Sequence, residues 1–324
     1  MQTKPVLVVQ GAARLDEVPR LAELEAEAQI RLATSVEELR TALPGAEVML
    51  GWNFRADSLR RAWNSADGLR WIHWCGAGVD AAMFPELVNS EVQLTNARGI
   101  FDQPMAEWVL GMMLCFAKRI PQTLEAQGQA RWNYQYSELL AGKRALVVGT
   151  GSIGRAIGRQ LRAVGLRVEG VGRRARDGGA DFEVIHGIDD LHALLPRADY
   201  VILITPLTGR TRNLFGAAEF AAMAPHARFI NVGRGALVVE SELLRALREG
   251  GIAGAALDVF VEEPLPPDSP FWTAPNCIVS PHMSGDIVGH EQLLAAQFLD
   301  NWRRYRAGEA LENLVDKSLG FVPG

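Results

Sequence analysis

Short apolar runs alternate with helix-patterned segments along nearly the whole chain, and this alternation points to parallel sheets built from βα units. A first series of runs lies at 5–9, 46–50 and 70–74, with a polar helix expected at 15–28. A second begins at 144–148 and continues through 167–171, 200–204, 228–232, 253–259 and 276–280. One smaller and one larger sheet follow. A chain of 324 residues supports two such cores, where a single module takes ~100 to 200.

Between the two series, Met105, Trp108, Val109, Met112 and Cys115 recur at helical spacing over 101–118. The other positions there are apolar too, so the helix is expected to be covered on more than one side, by a neighbouring domain or by a second copy in a homodimer. Near the end, Leu294, Phe298, Trp302 and Tyr305 form another apolar stripe, on a helix expected to return to the first sheet.

Composition narrows the partners. Hydrophobic residues make up 48% and charged ones 22%, a globular balance, and the net charge of -5 offers no broad attraction to nucleic acid or anionic membranes. Cys75, Cys115 and Cys277 have neither disulfide-framework nor zinc spacing, so no metal is expected. The longest apolar stretch, 108–117, is about half of the ~20 residues of a spanning helix, and the first residues carry no secretory pattern. A cytoplasmic protein acting on a small molecule is expected.

The run at 144–148 passes directly into Gly149, Thr150, Gly151, Ser152, Ile153 and Gly154, and then into a helical segment. In that context a GxGxxG loop binds a dinucleotide: the first glycine makes the turn, the second admits the pyrophosphate, and the third lets helix and strand pack closely. The helix start presents unpaired amides to the phosphates. The ribose end reads differently from an NAD site. Glu169 falls inside the second strand rather than at its end, where Gly172, Arg173, Arg174, Ala175 and Arg176 stand instead. Gly172 leaves room for a 2′-phosphate and the arginines can pair with it, so NADP(H) is expected over NAD(H).

Three further runs end in residues suited to hydride transfer on a keto acid, which needs a cation for the carboxylate, a proton donor, and a group that tunes the donor. They are Asn231 to Gly235 around Arg234, Leu257 to Pro264 with Asp258 and Glu263, and Val279 to Gly285 with His282. All three lie just past strands, where open parallel sheets bind ligands.

With these segments the chain resembles the D-isomer-specific 2-hydroxyacid dehydrogenase family. GTGSIG at 149–154, NVGRG at 231–235, DVFVEEP at 258–264 and SPH at 280–282 carry the resemblance, with weaker matches in GAGVD at 76–80, TPLTGRT at 205–211 and ENLVDKSLG at 312–320. The resemblance implies a Rossmann-type doubly wound parallel sheet, residues 99–285, inserted into a smaller flavodoxin-like α/β substrate domain formed by 1–98 and 286–324. It implies that His282 exchanges the proton, that Glu263 supports the imidazolium, and that Arg234 clamps the carboxylate. It places Asp258 on the nicotinamide carboxamide, with Thr205, Pro206, Thr211 and Val232 along the cofactor. Gly76, Ala77 and Gly78 then offer backbone amides to the substrate.

Within such a family the substrate follows from the loops. Gly51, Trp52, Asn53 and Phe54 make an aromatic wall with Arg55 as the nearby charge, whereas a phosphorylated substrate needs cations. The expectation is therefore a 2-ketoacid reductase acting on glyoxylate, hydroxypyruvate or a related acid. A D-3-phosphoglycerate dehydrogenase-like enzyme and a non-catalytic, dinucleotide-sensing corepressor are the alternatives. The family's formate dehydrogenases carry glutamine where Glu263 stands.

Overall fold

In the computed structural model, which describes residues 4–323, the first series of apolar runs forms one parallel sheet. Its strands are β1 Val6–Gln10, β2 Gln29–Ala33, β3 Val48–Gly51, β4 Trp71–Trp74 and β5 Gln93–Asn96. They lie in the order β2-β1-β3-β4-β5, every pair parallel, which is the flavodoxin-like order. Strands β3 and β4 are buried throughout, hence their continuous apolar runs. The helix expected at 15–28 is instead two short turns, Leu15–Glu17 and Leu21–Ala26. Pro19 cannot continue a helix, and Arg20 takes the left-handed conformation at φ 62°.

This unit comprises Met1–Phe101 and Ile287–Gly324. Its second part contributes the helix His290–Ala307, whose apolar stripe packs on the first sheet as expected. Phe298 and Tyr305 stack on Trp71 with centroids 5.5 and 5.2 Å away. The tip of Tyr305 donates to Glu47 (2.8 Å), and Trp302 Nε1 donates to Glu27 (3.0 Å). His73 lies fully buried beneath them, its Nδ1 2.8 Å from Thr95 Oγ1, and burial pushes its pKa down to about 3.

The other unit, Asp102–Asp286, holds the second series. Its strands are β6 Arg144–Val148, β7 Arg167–Gly172, β8 Arg176–Asp177, β9 Val184–Gly187, β10 Tyr200–Leu203, β11 Arg228–Asn231, β12 Gly254–Leu257 and β13 Cys277–Val279. The order is β13-β12-β11-β10-β6-β7-β9-β8, parallel except for the short β8, which runs antiparallel to β9. From β6 the chain winds outward through β7 and β9, then restarts at β10 on β6's other side. That reversal makes the sheet doubly wound and puts a ligand crevice at the carboxyl ends of β6 and β10.

Two helices line this sheet near the loop. Ser152–Ala163 buries Gly154, Ile157, Gly158 and Leu161, one face at helical spacing. Asp102–Ala117 packs against it and buries Met105, Ala106, Val109, Met113 and Ala117. Its remaining apolar positions, among them Trp108, Met112 and Cys115, are only half-buried, and Leu114 is exposed. Among the described residues, no helix is long and apolar enough to cross a membrane.

Candidate active site

Strands β6, β10, β11, β12 and β13 are mutually parallel, so the segments that follow them share one edge of the sheet. Gly149 turns the chain there at φ 119°, and a Cβ on it would lie 2.6 Å from the Ile204 carbonyl oxygen. A Cβ on Gly154 would come within 1.9 Å of the Gly149 carbonyl oxygen, so the helix presses directly on the turn. A Cβ on Gly151, by contrast, would meet no atom within 4 Å beyond its chain neighbours among the described residues. The loop thus closes on itself at both ends and stays open in the middle. Gly151 caps the helix, leaving the amides of Ser152, Ile153 and Gly154 without acceptors one turn back. One strand over, the buried Thr205 Oγ1 lacks a protein partner. An open glycine, unpaired helix amides and an orphaned hydroxyl fit a dinucleotide phosphate and its neighbours.

At the end of β7, Gly172 is packed against this loop: a Cβ there would stand 2.8 Å from Thr150 Oγ1 and 3.3 Å from Ile185. An acidic side chain at that position would have to displace Thr150. Glu169 is engaged elsewhere, accepting from His186 Nε2 (2.9 Å) and Arg197 (2.7 Å). Arg173 and Arg174 are exposed on the turn. Arg176, the last of the arginines in that segment, donates to Thr150 Oγ1 (3.0 Å) and to its carbonyl oxygen (3.3 Å). The hairpin of β8 and β9 folds it back over the loop, and a two-residue strand leaves no periodic signal in the sequence.

Two residues expected along the cofactor have other occupations. Thr211 Oγ1 donates to the Pro206 carbonyl (2.6 Å) and accepts from the Thr208 amide (2.8 Å), closing the 206–211 turn rather than offering a free hydroxyl. Val232 is buried, and its amide is spent on the Leu203 carbonyl (3.1 Å), so it continues the sheet. Pro206 is exposed beside them.

The Arg234 turn is built by Asn231, which accepts from the Gly233 amide (3.1 Å) and donates to the Arg234 carbonyl (3.1 Å). Arg234 Nη1 donates to the Gly233 carbonyl (2.8 Å). A Cβ on Gly235 would fall 1.9 Å from the carbonyl carbon of Phe260, so this turn lies backbone to backbone on the loop that carries Glu263. Glu240 and Glu263 hold that loop, accepting from the amides of Val261 (2.8 Å) and Phe260 (2.9 Å) respectively. Burial pushes the Glu240 carboxyl above its ordinary range.

Glu263 Oε2 lies 2.6 Å from His282 Nδ1. A carboxylate can only accept, so Nδ1 carries the proton of this hydrogen bond. His282 itself adopts the left-handed conformation at φ 54°.

Asp258 is engaged by the loop that carries His282. The side chain is fully buried, with Oδ1 accepting from Ser280 Oγ (2.5 Å) and the Met283 amide (2.9 Å), and Oδ2 from the Ser284 amide (2.9 Å). Its oxygens thus hold the loop around His282. The sequence placed the acid correctly at a strand end; nothing in it announced that a left-handed histidine would turn two amides back onto it.

In the first unit, the loop Gly76 to Gly78 and Trp52 also follow parallel strands at the carboxyl edge. Phe54 covers Gly76, where a Cβ would meet its ring at 2.6 Å, and Arg55 stands 5.3 Å over that ring. Asn96 Nδ2 holds the loop by donating to the Ala77 carbonyl (2.6 Å). Trp52, directly after β3, is half-buried. Among the described residues no cluster of three or more His, Cys, Asp or Glu is placed to hold a metal.

A sequence profile described as "D-isomer specific 2-hydroxyacid dehydrogenase, NAD binding domain" matches residues 110–284. The glyoxylate/hydroxypyruvate reductase B of Citrobacter koseri is 31% identical over 321 residues, 97% of this chain and 98% of that protein. The D-3-phosphoglycerate dehydrogenase of Methanocaldococcus jannaschii is 30% identical over 300 residues, 90% of this chain but 56% of that longer protein. Among solved structures, the NADPH-dependent glyoxylate/hydroxypyruvate reductase of Sinorhizobium meliloti, in complex with NADP and sulfate, superposes with a TM-score of 0.85 at 29% identity, covering 98% of this chain and 100% of that one.

Proposed function

The chain belongs to the D-isomer specific 2-hydroxyacid dehydrogenase family, and from that premise we propose that it reduces glyoxylate, hydroxypyruvate or a similar small 2-oxo acid with NADPH. The observation that carries this reading is the 2.6 Å pair of Glu263 and His282 on the sheet edge that bears the glycine loop. The bound nicotinamide supplies the hydride. His282 Nε2 donates the proton to the carbonyl oxygen, and as neutral imidazole takes it back in the reverse direction. Glu263 fixes the tautomer and compensates the ring's charge while it is protonated. Arg234 pairs with the substrate carboxylate. From the first unit we assign the amides of Gly76, Ala77 and Gly78 to the substrate and Trp52 to its side chain.

For the cofactor, Gly149 to Gly154 hold the pyrophosphate. The preference for NADP(H) draws support from the packing of Gly172 against Thr150, which disfavours an acid at the ribose, and from the Arg173, Arg174 and Arg176 cluster. The reductase of Sinorhizobium meliloti, named as NADPH-dependent, agrees.

The assembly is proposed as a homodimer. Trp132, Tyr134, Tyr136 and Leu139 are 97, 77, 83 and 74% exposed on the segment after helix Ile120–Gly128, too much apolar surface to leave in water. Its test is sedimentation, with a dimer mass expected and a monomer refuting it. Three free cysteines suit a reducing, cytoplasmic compartment.

The deciding experiment is loss of NADPH absorbance with a panel of 2-oxo acids, repeated with NADH. Turnover of glyoxylate or hydroxypyruvate, faster with NADPH, is the expected result. Turnover of a phosphorylated substrate alone would favour the phosphoglycerate reading. Tight NADPH binding with no turnover at all would favour the sensor.

A further inference from the structure

We infer that Asp258 is a positioning residue for His282: its carboxylate holds the Ser280 side chain before the histidine and the backbone amides after it, and thereby sets where Nε2 points. This rests on His282 as the proton-transfer group, and it is a role other than the carboxamide contact that the family resemblance implies for Asp258.

The clamp is anchored in the sheet. Asp258 directly follows β12, and its own amide donates to the Asn231 carbonyl (3.1 Å), so the residue is held where strands β11 and β12 end. Its three partners belong to Ser280, Met283 and Ser284, two residues before His282 and one and two residues after it. His282 at φ 54° is the bend that allows this, because its left-handed backbone turns the next two amides back toward the strand end. Few residues other than glycine adopt that region, histidine more readily than most, and the surrounding bonds hold it there. The Ser284 amide is buried, and a buried amide without an acceptor is unfavourable, so the carboxylate and the bend support each other.

Two acids thus divide the work of holding one histidine. Glu263 takes the ring at Nδ1, and Asp258 takes the Ser280 hydroxyl before the histidine and two main-chain amides after it. The Asp258 side chain is fully buried, and each of its oxygens accepts from the protein.

The test uses the full-length enzyme and two variants. Asp258→Asn turns an N–H donor toward a backbone amide that needs an acceptor, and Ser280→Ala deletes one of the three bonds while sparing the acid. For Asp258→Asn, kcat for 2-oxo acid reduction falls about 10²-fold, the scale of a misplaced catalytic group, while the Kd for NADPH from tryptophan fluorescence stays within about twofold. Ser280→Ala shows the same split at several-fold, and it keeps the test alive if Asp258→Asn does not fold. A tenfold or greater loss of NADPH affinity in either variant, or an unchanged kcat, overturns the proposal.

Hydrogen exchange at the Met283 and Ser284 amides reads the clamp without any turnover. Slow exchange in the wild type and at least about tenfold faster exchange in Asp258→Asn, or in Ser280→Ala, is expected; equal rates overturn it. A wild type that turns over no 2-oxo acid would defeat the functional reading, and the exchange rates would still decide the clamp.

Discussion

Glu263→Gln keeps the shape of the side chain and removes its charge. The remaining carbonyl oxygen can still accept from the Phe260 amide, a 2.9 Å bond in the wild type, so the loop keeps its course. What disappears is the carboxylate oxygen 2.6 Å from His282 Nδ1. An amide N–H in its place reverses the bond, making Nδ1 the acceptor, and supplies no countercharge when the ring is protonated. A hydrogen bond to a charged partner contributes about 1.5–3 kcal/mol, and the partial exposure of both side chains, 31% for Glu263 and 22% for His282, draws the effect toward the lower end. At about 1.4 kcal/mol per decade, kcat for reduction falls roughly 10- to 100-fold. The assay is steady-state reduction of glyoxylate at saturating NADPH, with the urea midpoint as a check on folding. A variant that folds normally and keeps its kcat within about twofold of wild type would refute the reasoning.

Gly235→Ala drives a Cβ to 1.9 Å from the Phe260 carbonyl carbon, backbone against backbone, so stability drops by about 3 kcal/mol and activity with it; an unshifted urea midpoint contradicts the contact. Arg176→Ala removes the guanidinium on Thr150, so the KM for NADPH rises about tenfold while that for NADH is unchanged, as parallel titrations would reveal. His73 sets an acid limit: the unfolded chain gains a proton near 6.5, whereas burial holds the folded group down to about 3. Its contribution is therefore complete above about 6.5 and is lost as pH falls toward 3, at up to about 1.4 kcal/mol per unit, or about 2 kcal/mol by pH 5. Urea midpoints across that range should fall less steeply in His73→Leu.

Where burial on both faces makes a strand uniformly apolar, as at Val48–Gly51 and Tyr200–Leu203, the sequence announces it. The strands that escaped lack that pattern. Gln29–Ala33 pairs on one side only and carries polar residues, Gln93–Asn96 is short with three polar residues of four, Val184–Gly187 has two apolar residues before a histidine and a glycine, and Arg176–Asp177 has two residues. The site divides in the same way. Arg234, Glu263 and His282 were legible because each follows a readable strand and sits in a recognisable segment. Arg176 was legible only as one of several arginines because its place over the loop depends on a hairpin, and the bonds that Asp258 accepts were not legible because they depend on the sign of a single φ angle at His282.

The account stands most directly on proton transfer by His282, and one measurement addresses it: NADPH oxidation by glyoxylate and hydroxypyruvate, wild type beside His282→Ala, with NADPH affinity followed in parallel. Turnover by the wild type and a loss of about 10²- to 10⁴-fold in the variant, at unchanged cofactor affinity, is the predicted result. A variant that retains most of its activity would contradict it.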